Sequence, residues 1–213
     1  MASGQGGLQP RKQPRQARAE LTRQRILAAA AHVFAEYGYA AGTTNRIAER
    51  AQISIGSLYQ YYPNKDAILV ELATRHLDAG MAAIACHHDE GRPPRPLEEA
   101  IRGYVRLSIE NHLDDPQLLR VMAEQAPRSP ELLEKMSRYQ QSRTAYVREL
   151  IENHPESRVD DMHTAARLVV STVELTVHQL AAAPDPLAPA RLENELVAMI
   201  TRYLRGGSRG LES

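Results

Sequence analysis

Thr43-Thr44-Asn45-Arg46-Ile47-Ala48-Glu49-Arg50-Ala51-Gln52-Ile53-Ser54-Ile55-Gly56-Ser57-Leu58-Tyr59-Gln60-Tyr61-Tyr62 decides how this chain is read. Thr43 or Thr44 can cap a short helix, because a side-chain oxygen there accepts from the unpaired N–H groups of a first turn. Ile47, Ala48 and Ala51 then share its inner face. Ile53 sits in a tight turn and is expected to plug the core. Ser54 caps a second short helix whose buried side is Leu58 and Tyr62. Two short helices around a turn, the second carrying small and polar groups outward, make a helix-turn-helix.

Working outward, Ile26, Ala30, Val33, Phe34 and Tyr37 recur at helical spacing before this stretch, and Gly38 ends the pattern as a C′ residue. After it, Pro63 breaks the chain and Asn64 caps a long helix from about Lys65 to about His88, with Ile68, Leu72, His76 and Ala79 on one face. Prolines then separate helical patterns near 97–113, 117–125, 130–153, 161–183 and 190–205. Ser129-Pro130-Glu131 is a strong start signal, with a cap, an N1 proline and an acid in the first turn. No alternating strand pattern stands out. The expected fold is all-α, with about nine helices.

Composition agrees. The 213 residues include no Trp and one Phe, so the core must be built from aliphatic side chains and a few Tyr. Cys86 is the single cysteine, which excludes an intrachain disulfide and fits a reducing cytosol. No apolar run reaches 18 residues, and neither a spanning helix nor a secretory signal is expected. A formal net charge of zero hides an asymmetry: residues 1–65 carry a net +6 and residues 66–213 a net −6. A basic first third on an acidic remainder is the footprint of a polyanion-binding module joined to something else, or a chance clustering of solvated charges. The expected organisation is a disordered basic tail over 1–18, a helix-turn-helix head over 19–64, a helical body over 65–206 and a flexible tail over 207–213.

Residues 19–75 resemble the N-terminal domain of TetR-type bacterial transcription regulators. The resemblance rests on Ile26-Leu27-Ala28-Ala29-Ala30, Phe34 with Gly38-Tyr39, Thr43-Thr44 with Ile47-Ala48, Ile53 through Tyr62, and Asn64-Lys65-Asp66-Ala67-Ile68-Leu69. Beyond about residue 80 it is architectural only. It implies a cytoplasmic bacterial protein that binds a palindromic operator in double-stranded DNA, most often as a repressor. It further implies a homodimer and a small, mostly apolar ligand of unknown identity.

Each position also has a physical reading. Thr44 offers a hydroxyl and free N–H groups to a phosphate at a helix N-terminus, and the resemblance places a backbone contact there, with Asn45 near base edges. Gly56 permits close approach of the second helix to a duplex. Ser57 and Gln60 can bond base edges, and glutamine suits adenine N6/N7. Tyr59 and Tyr61 can donate to phosphates, fixing register without reading sequence. Lys65 is a phosphate cation. Arg46 and Arg50 touch phosphates or form a solvated face. Ile55 departs from the lysine common in relatives; it meets a thymine methyl or simply packs. Arg11, Lys12, Arg15 and Arg18 make either a minor-groove arm or a weakly attractive tail.

In the body, Leu168, Thr172, Leu175, Leu192, Leu196, Met199, Ile200 and Tyr203 lie on apolar stripes of the last two helices. In TetR-like proteins the matching helices pair across a two-fold axis, presenting two heads to half-sites ~34 Å apart. The resemblance also implies a ligand pocket, for which His76, Met81, Tyr104, Met122, Tyr139, Tyr146, Glu174 and His178 are the candidate lining; ordinary packing is the alternative for each. Glu174, between Val173 and Leu175, needs a partner if it is buried.

A metal-binding helical enzyme is the competing class. Its best support is Cys86 followed by His87-His88-Asp89-Glu90, yet adjacent residues on a helix point about 100° apart. HExxH, Walker loop and CxxC motifs are absent from the sequence. The cluster fits a solvated helix end, and neither catalytic residue, cofactor nor metal is expected. An adaptor without DNA binding is the third class; the intact Thr44, Tyr59, Tyr61 and Lys65 set argues against it.

Overall fold

The computed structural model describes residues 13–86, 95–113, 116–127, 129–152, 154–181 and 185–206. Among these residues every regular element is helical: α1 Gln13–Ala41, α2 Thr44–Arg50, α3 Ile55–Tyr59, α4 Lys65–Cys86, α5 Leu97–Leu113, α6 Pro116–Gln125, α7 Pro130–Glu152, α8 Met162–Ala181 and α9 Pro189–Leu204. The all-α expectation holds over them. None of these helices is long and apolar enough to cross a membrane. The chain divides into two compact units between Ile68 and Leu69.

The first unit forms where the sequence signals place it. Gly38, at φ 71°, breaks α1 into a long segment and a short turn. Thr43 caps α2 by accepting from the Arg46 N–H at 3.4 Å, and Ser54 caps α3 by accepting from the Ser57 N–H at 3.0 Å. Asn64 accepts from the Ala67 N–H at 2.9 Å and starts α4. Ile26, Ala30, Phe34, Ile47 and Leu58 are wholly buried, and Tyr62 nearly so. Each such large side chain contributes roughly 1.5–3 kcal/mol by leaving water.

Several expectations need correction here. α1 begins at Gln13, so residues 13–18 are helical instead of tail. Tyr37, expected on the buried stripe, is 45% exposed; it lies one residue before the break at Gly38, with the Arg46 guanidinium 4.2 Å from its ring. Ile53 is only half-buried. Ala79, placed on the inner face of α4, is exposed. The stretch 1–12, with Arg11 and Lys12, the cluster His87-His88-Asp89-Glu90, and the tail 207–213 lie outside the described residues.

In the second unit α5 packs against both α8 and α9, and α7 packs along α8. The core interleaves Leu97, Ile101, Val105 and Ile109 of α5 with Val169, Val173 and Val177 of α8 and Leu192, Leu196, Ile200 and Leu204 of α9. Charged contacts reinforce the α5–α9 seam: Arg102 and Arg106 both donate to Glu193, at 3.0 and 2.9 Å. Ser129 caps α7 as expected, accepting from the Leu132 N–H at 3.2 Å. Asp161 caps α8 through the Thr164 N–H at 3.0 Å.

Candidate nucleic-acid interface and buried polar centre

The outward face of α2 and α3 collects most of the residues singled out for a duplex. Asn45, Arg46, Gly56 and Gln60 are exposed, Tyr59 is 52% exposed and Ile55 37% exposed. A side chain added at Gly56 would meet nothing closer than Ser54 Oγ at 3.9 Å, so internal packing does not require glycine there. The Thr44 hydroxyl lies 3.2 Å from the Tyr59 hydroxyl, which joins the start of α2 to the end of α3. Tyr61 is half-buried, and Tyr62 is core, as its helical phase predicts.

Two of these residues are partly committed elsewhere. The Ser57 hydroxyl shares a 2.8 Å hydrogen bond with Ser54 Oγ inside the α3 cap. Lys65 is not a free cation. Its ammonium donates to the Tyr39 carbonyl at 2.7 Å and the Ala40 carbonyl at 3.4 Å, and sits 4.1 Å from the Tyr39 ring. Carbonyls at a helix end carry partial negative charge, which explains the preference. Asp66 completes the arrangement by accepting from the Tyr39 hydroxyl. Arg25 does the same for the turn, donating to the Ala51 and Gln52 carbonyls. Sequence reading missed it because its partners lie 26 and 27 residues away.

The second unit holds a polar centre inside its core. Arg143 is 1% exposed. Its Nε donates to the Tyr104 hydroxyl at 3.2 Å and its Nη2 to the same hydroxyl at 2.8 Å. Nη2 also reaches Ser108 Oγ at 2.7 Å, and Nη1 reaches the Tyr139 hydroxyl at 3.1 Å. Nη1 closes the set as an ion pair with Glu174. A guanidinium has five N–H donors, and these five contacts account for all of them. Burial pushes the Tyr104 phenol up, opposed by Arg143 beside it. Glu174, half-buried, therefore has a partner in the core.

Next to this ion pair lies a histidine group. His112, 1% exposed, has Nδ1 at 2.6 Å from the Ser108 carbonyl oxygen and Nε2 at 3.1 Å from His178 Nε2. The rings of His76 and His112 meet edge-on with centroids 5.2 Å apart. Burial, then the neighbouring His178, pushes His112 down to about 3. His178 is lowered too, by burial first and by Arg143 second.

Of the expected pocket residues, His76, Tyr104, Tyr139, Glu174 and His178 gather around Arg143 and His112. The Tyr146 ring stacks at a tilt 6.1 Å from Tyr104. Met122 is buried on α6, and Met81 packs on the Ile84, Leu107 and Tyr139 cluster. Arg143, Ser108 and His112 complete the centre and were not anticipated. The remaining space beside Gly80, Ser108, Asn111 and Arg143 amounts to about 10 Å³, roughly one water. The expected open pocket is, in this conformation, filled by the arginine. Gly80 marks how tight the packing is: a Cβ there would stand 2.5 Å from the Tyr139 hydroxyl.

The expected pairing stripe splits in two. Leu168, Leu175, Met199 and Tyr203 are 50%, 62%, 49% and 42% exposed, and Thr172 is half-buried. Leu192, Leu196 and Ile200 are each 3% exposed within a single chain and have no surface left to offer a partner. Their assignment to an interface is corrected: they face α5, not solvent.

Residues 26–72 match the family described as bacterial regulatory proteins, tetR family, and residues 96–204 match the tetracyclin repressor-like C-terminal domain. The chain is 28% identical over 113 residues to the HTH-type transcriptional regulator RutR of Escherichia coli (strain K12), covering 53% of this chain and 51% of that one. It is 38% identical over 96 residues to the HTH-type transcriptional repressor AcnR of Corynebacterium jeikeium, covering 45% of each. The chain thus spans about half the length of the relatives it matches. A crystal structure of a tetR-family regulatory protein from Rhodococcus RHA1 superposes with a TM-score of 0.69 at 24% identity, covering 86% of this chain and 96% of that one.

Proposed function

Because the chain belongs to the TetR family of bacterial regulatory proteins, we propose that it is a ligand-responsive transcriptional repressor and not an enzyme. The observation that carries this reading is the face of α2 and α3: paired Thr44 and Tyr59 hydroxyls for a phosphate, beside an exposed Gln60 for a base edge. The hydroxyls position the head without reading sequence, and the glutamine supplies selectivity. The head, about residues 19–64, would act on the chromosome in the cytoplasm, and the body, about 65–206, would supply pairing and sensing.

Pairing falls to the exposed parts of α8 and α9. Leu168, Leu175, Met199 and Tyr203 form the apolar surface that a second copy would cover, giving a homodimer and a palindromic operator. Sensing falls to the centre around Arg143. A small molecule entering there must displace contacts among α4, α5, α7 and α8. Since α4 begins in the first unit and continues into the second, a change in its packing can reach the head. The size of the response is bounded by the ligand's difference in affinity for the two states. AcnR, named a repressor, supports the sign of regulation.

Selection of bound duplexes from a random DNA pool tests the reading. An enriched palindrome whose binding weakens steeply with salt is the expected result. Recovery of unselected sequences only would refute it.

A further inference from the structure

Three side chains beside Arg143, within the centre proposed for sensing, also meet in a second way that this role does not require. His112 on α5 and Glu174 and His178 on α8 bring a ligand atom each to within 4.8 Å of one another. Glu174 and His178 are four residues apart on one helix, so both project from the same face toward His112. The imidazole of His112 is fixed by its backbone. Its Nδ1 lies 2.6 Å from the Ser108 carbonyl, which can only accept, so Nδ1 carries the proton and Nε2 keeps a lone pair. That lone pair points at His178 Nε2, 3.1 Å away. Two imidazole nitrogens bound to one tetrahedral zinc at ~2.0–2.1 Å stand about 3.3 Å apart. The separation in the protein is close to that value without any rearrangement of the backbone.

We propose that His112, His178 and Glu174 form a binding site for one divalent transition-metal ion of the zinc type. In the metal-free protein the His178 Nε2–H donates to the His112 Nε2 lone pair; on binding, that proton moves to His178 Nδ1, both imidazoles stay neutral, and the ion occupies the place between the two nitrogens. The donor set of two imidazoles and one carboxylate selects zinc, cobalt or nickel over magnesium and calcium, which require oxygen ligands. The outer shell is already built. The Ser108 carbonyl orients His112, and Arg143 grips Glu174, as metal-bound imidazoles and carboxylates are gripped elsewhere. Three protein ligands leave a fourth position open. The site stands whether or not the chain binds DNA.

The test uses the purified full chain, stripped with a chelator and titrated with Co²⁺ and then Zn²⁺. We expect one ion per chain, the intense visible bands of tetrahedral Co²⁺, and displacement by Zn²⁺ but not by excess Mg²⁺. His178→Gln should weaken binding at least tenfold. A His87→Ala/His88→Ala double substitution should leave it unchanged. X-ray absorption of the zinc-loaded wild type, which needs no variant to fold, should show two imidazole shells. Mg²⁺ competing on equal terms, affinity retained in His178→Gln, loss in the His87/His88 double variant, or a zinc spectrum without imidazole scattering would each overturn the assignment.

Discussion

The Thr44 hydroxyl stands 3.2 Å from the Tyr59 hydroxyl, so the start of α2 and the end of α3 present two hydrogen-bonding groups at one exposed place. A single phosphate can use both. Tyr59→Phe removes one of them and leaves the ring, which is 52% exposed and carries little packing. Binding to operator and to scrambled duplex should weaken together, by about 0.5–1.5 kcal/mol. Fluorescence anisotropy with both duplexes checks this; a loss confined to the operator would mean that Tyr59 reads bases.

Gln60 is exposed beside that pair. Gln60→Ala should relax the preference at one base position per half-site by ~1–3 kcal/mol if the amide makes a bidentate contact. Repeating the random-pool selection with the variant reads this out directly. An unchanged consensus would move specificity to Asn45 or Ser57.

Leu175 is 62% exposed on α8 and Leu196 is 3% exposed on α9. Leu175→Glu should yield a folded monomer by light scattering, because it would place a charge in the surface proposed for pairing. Leu196→Ala should instead cost ~2–5 kcal/mol of unfolding free energy through a core cavity. If Leu175→Glu stays dimeric, α8 does not carry the pairing surface.

Arg143, buried in the core, forms an ion pair with the half-buried Glu174. Glu174→Ala strands a guanidinium in the core and should destabilise the chain by ~3–5 kcal/mol, whereas Arg143→Met combined with Glu174→Leu should recover most of that loss. Urea midpoints of the two variants decide it. Equal loss in both would show that Tyr104, Tyr139 and Ser108 depend on the guanidinium for their own satisfaction.

His112 sets a pH dependence. Its folded-state value is pushed down to about 3, well under the ~6.5 of an unfolded histidine. Between those values the unfolded chain holds a proton that the folded chain refuses. Stability is therefore full above about pH 6.5 and falls as pH drops toward 3, by up to ~1.4 kcal/mol per unit. His178 is shifted in the same direction and adds to the slope. Urea unfolding between about pH 7 and 5 isolates the histidines, since carboxylates titrate lower. A flat profile there would contradict the burial argument, and His112→Gln should flatten it.

The sequence made the scaffold legible because its signals are local. Thr43, Ser54, Asn64 and Ser129 cap the helices that follow them, and each accepts the bond its position predicts. The buried centre was legible only in part. Tyr104, Tyr139, Glu174 and His178 stood out as polar groups in apolar surroundings, but Arg143 reads as a solvated charge on a mostly polar helix. A signal existed: Tyr139, Arg143, Val147 and Ile151 recur every fourth residue, and all four are buried. Pairwise partners such as Ser108 with Arg143, 35 residues apart, follow from helix packing, which no local pattern encodes. The same limit applied to α9. Its apolar stripe does not say which half faces α5 and which faces solvent.

Gly80 sits in mid-helix, away from any turn, with the Tyr139 hydroxyl where its first carbon would be. A single methyl there would push on a ring that holds Arg143, so α4 records the state of a residue nearly sixty positions downstream. In descendants of this gene the two sites should drift together: a lineage that keeps the tyrosine stays locked to glycine at 80, and one that loses it is free to fill the gap.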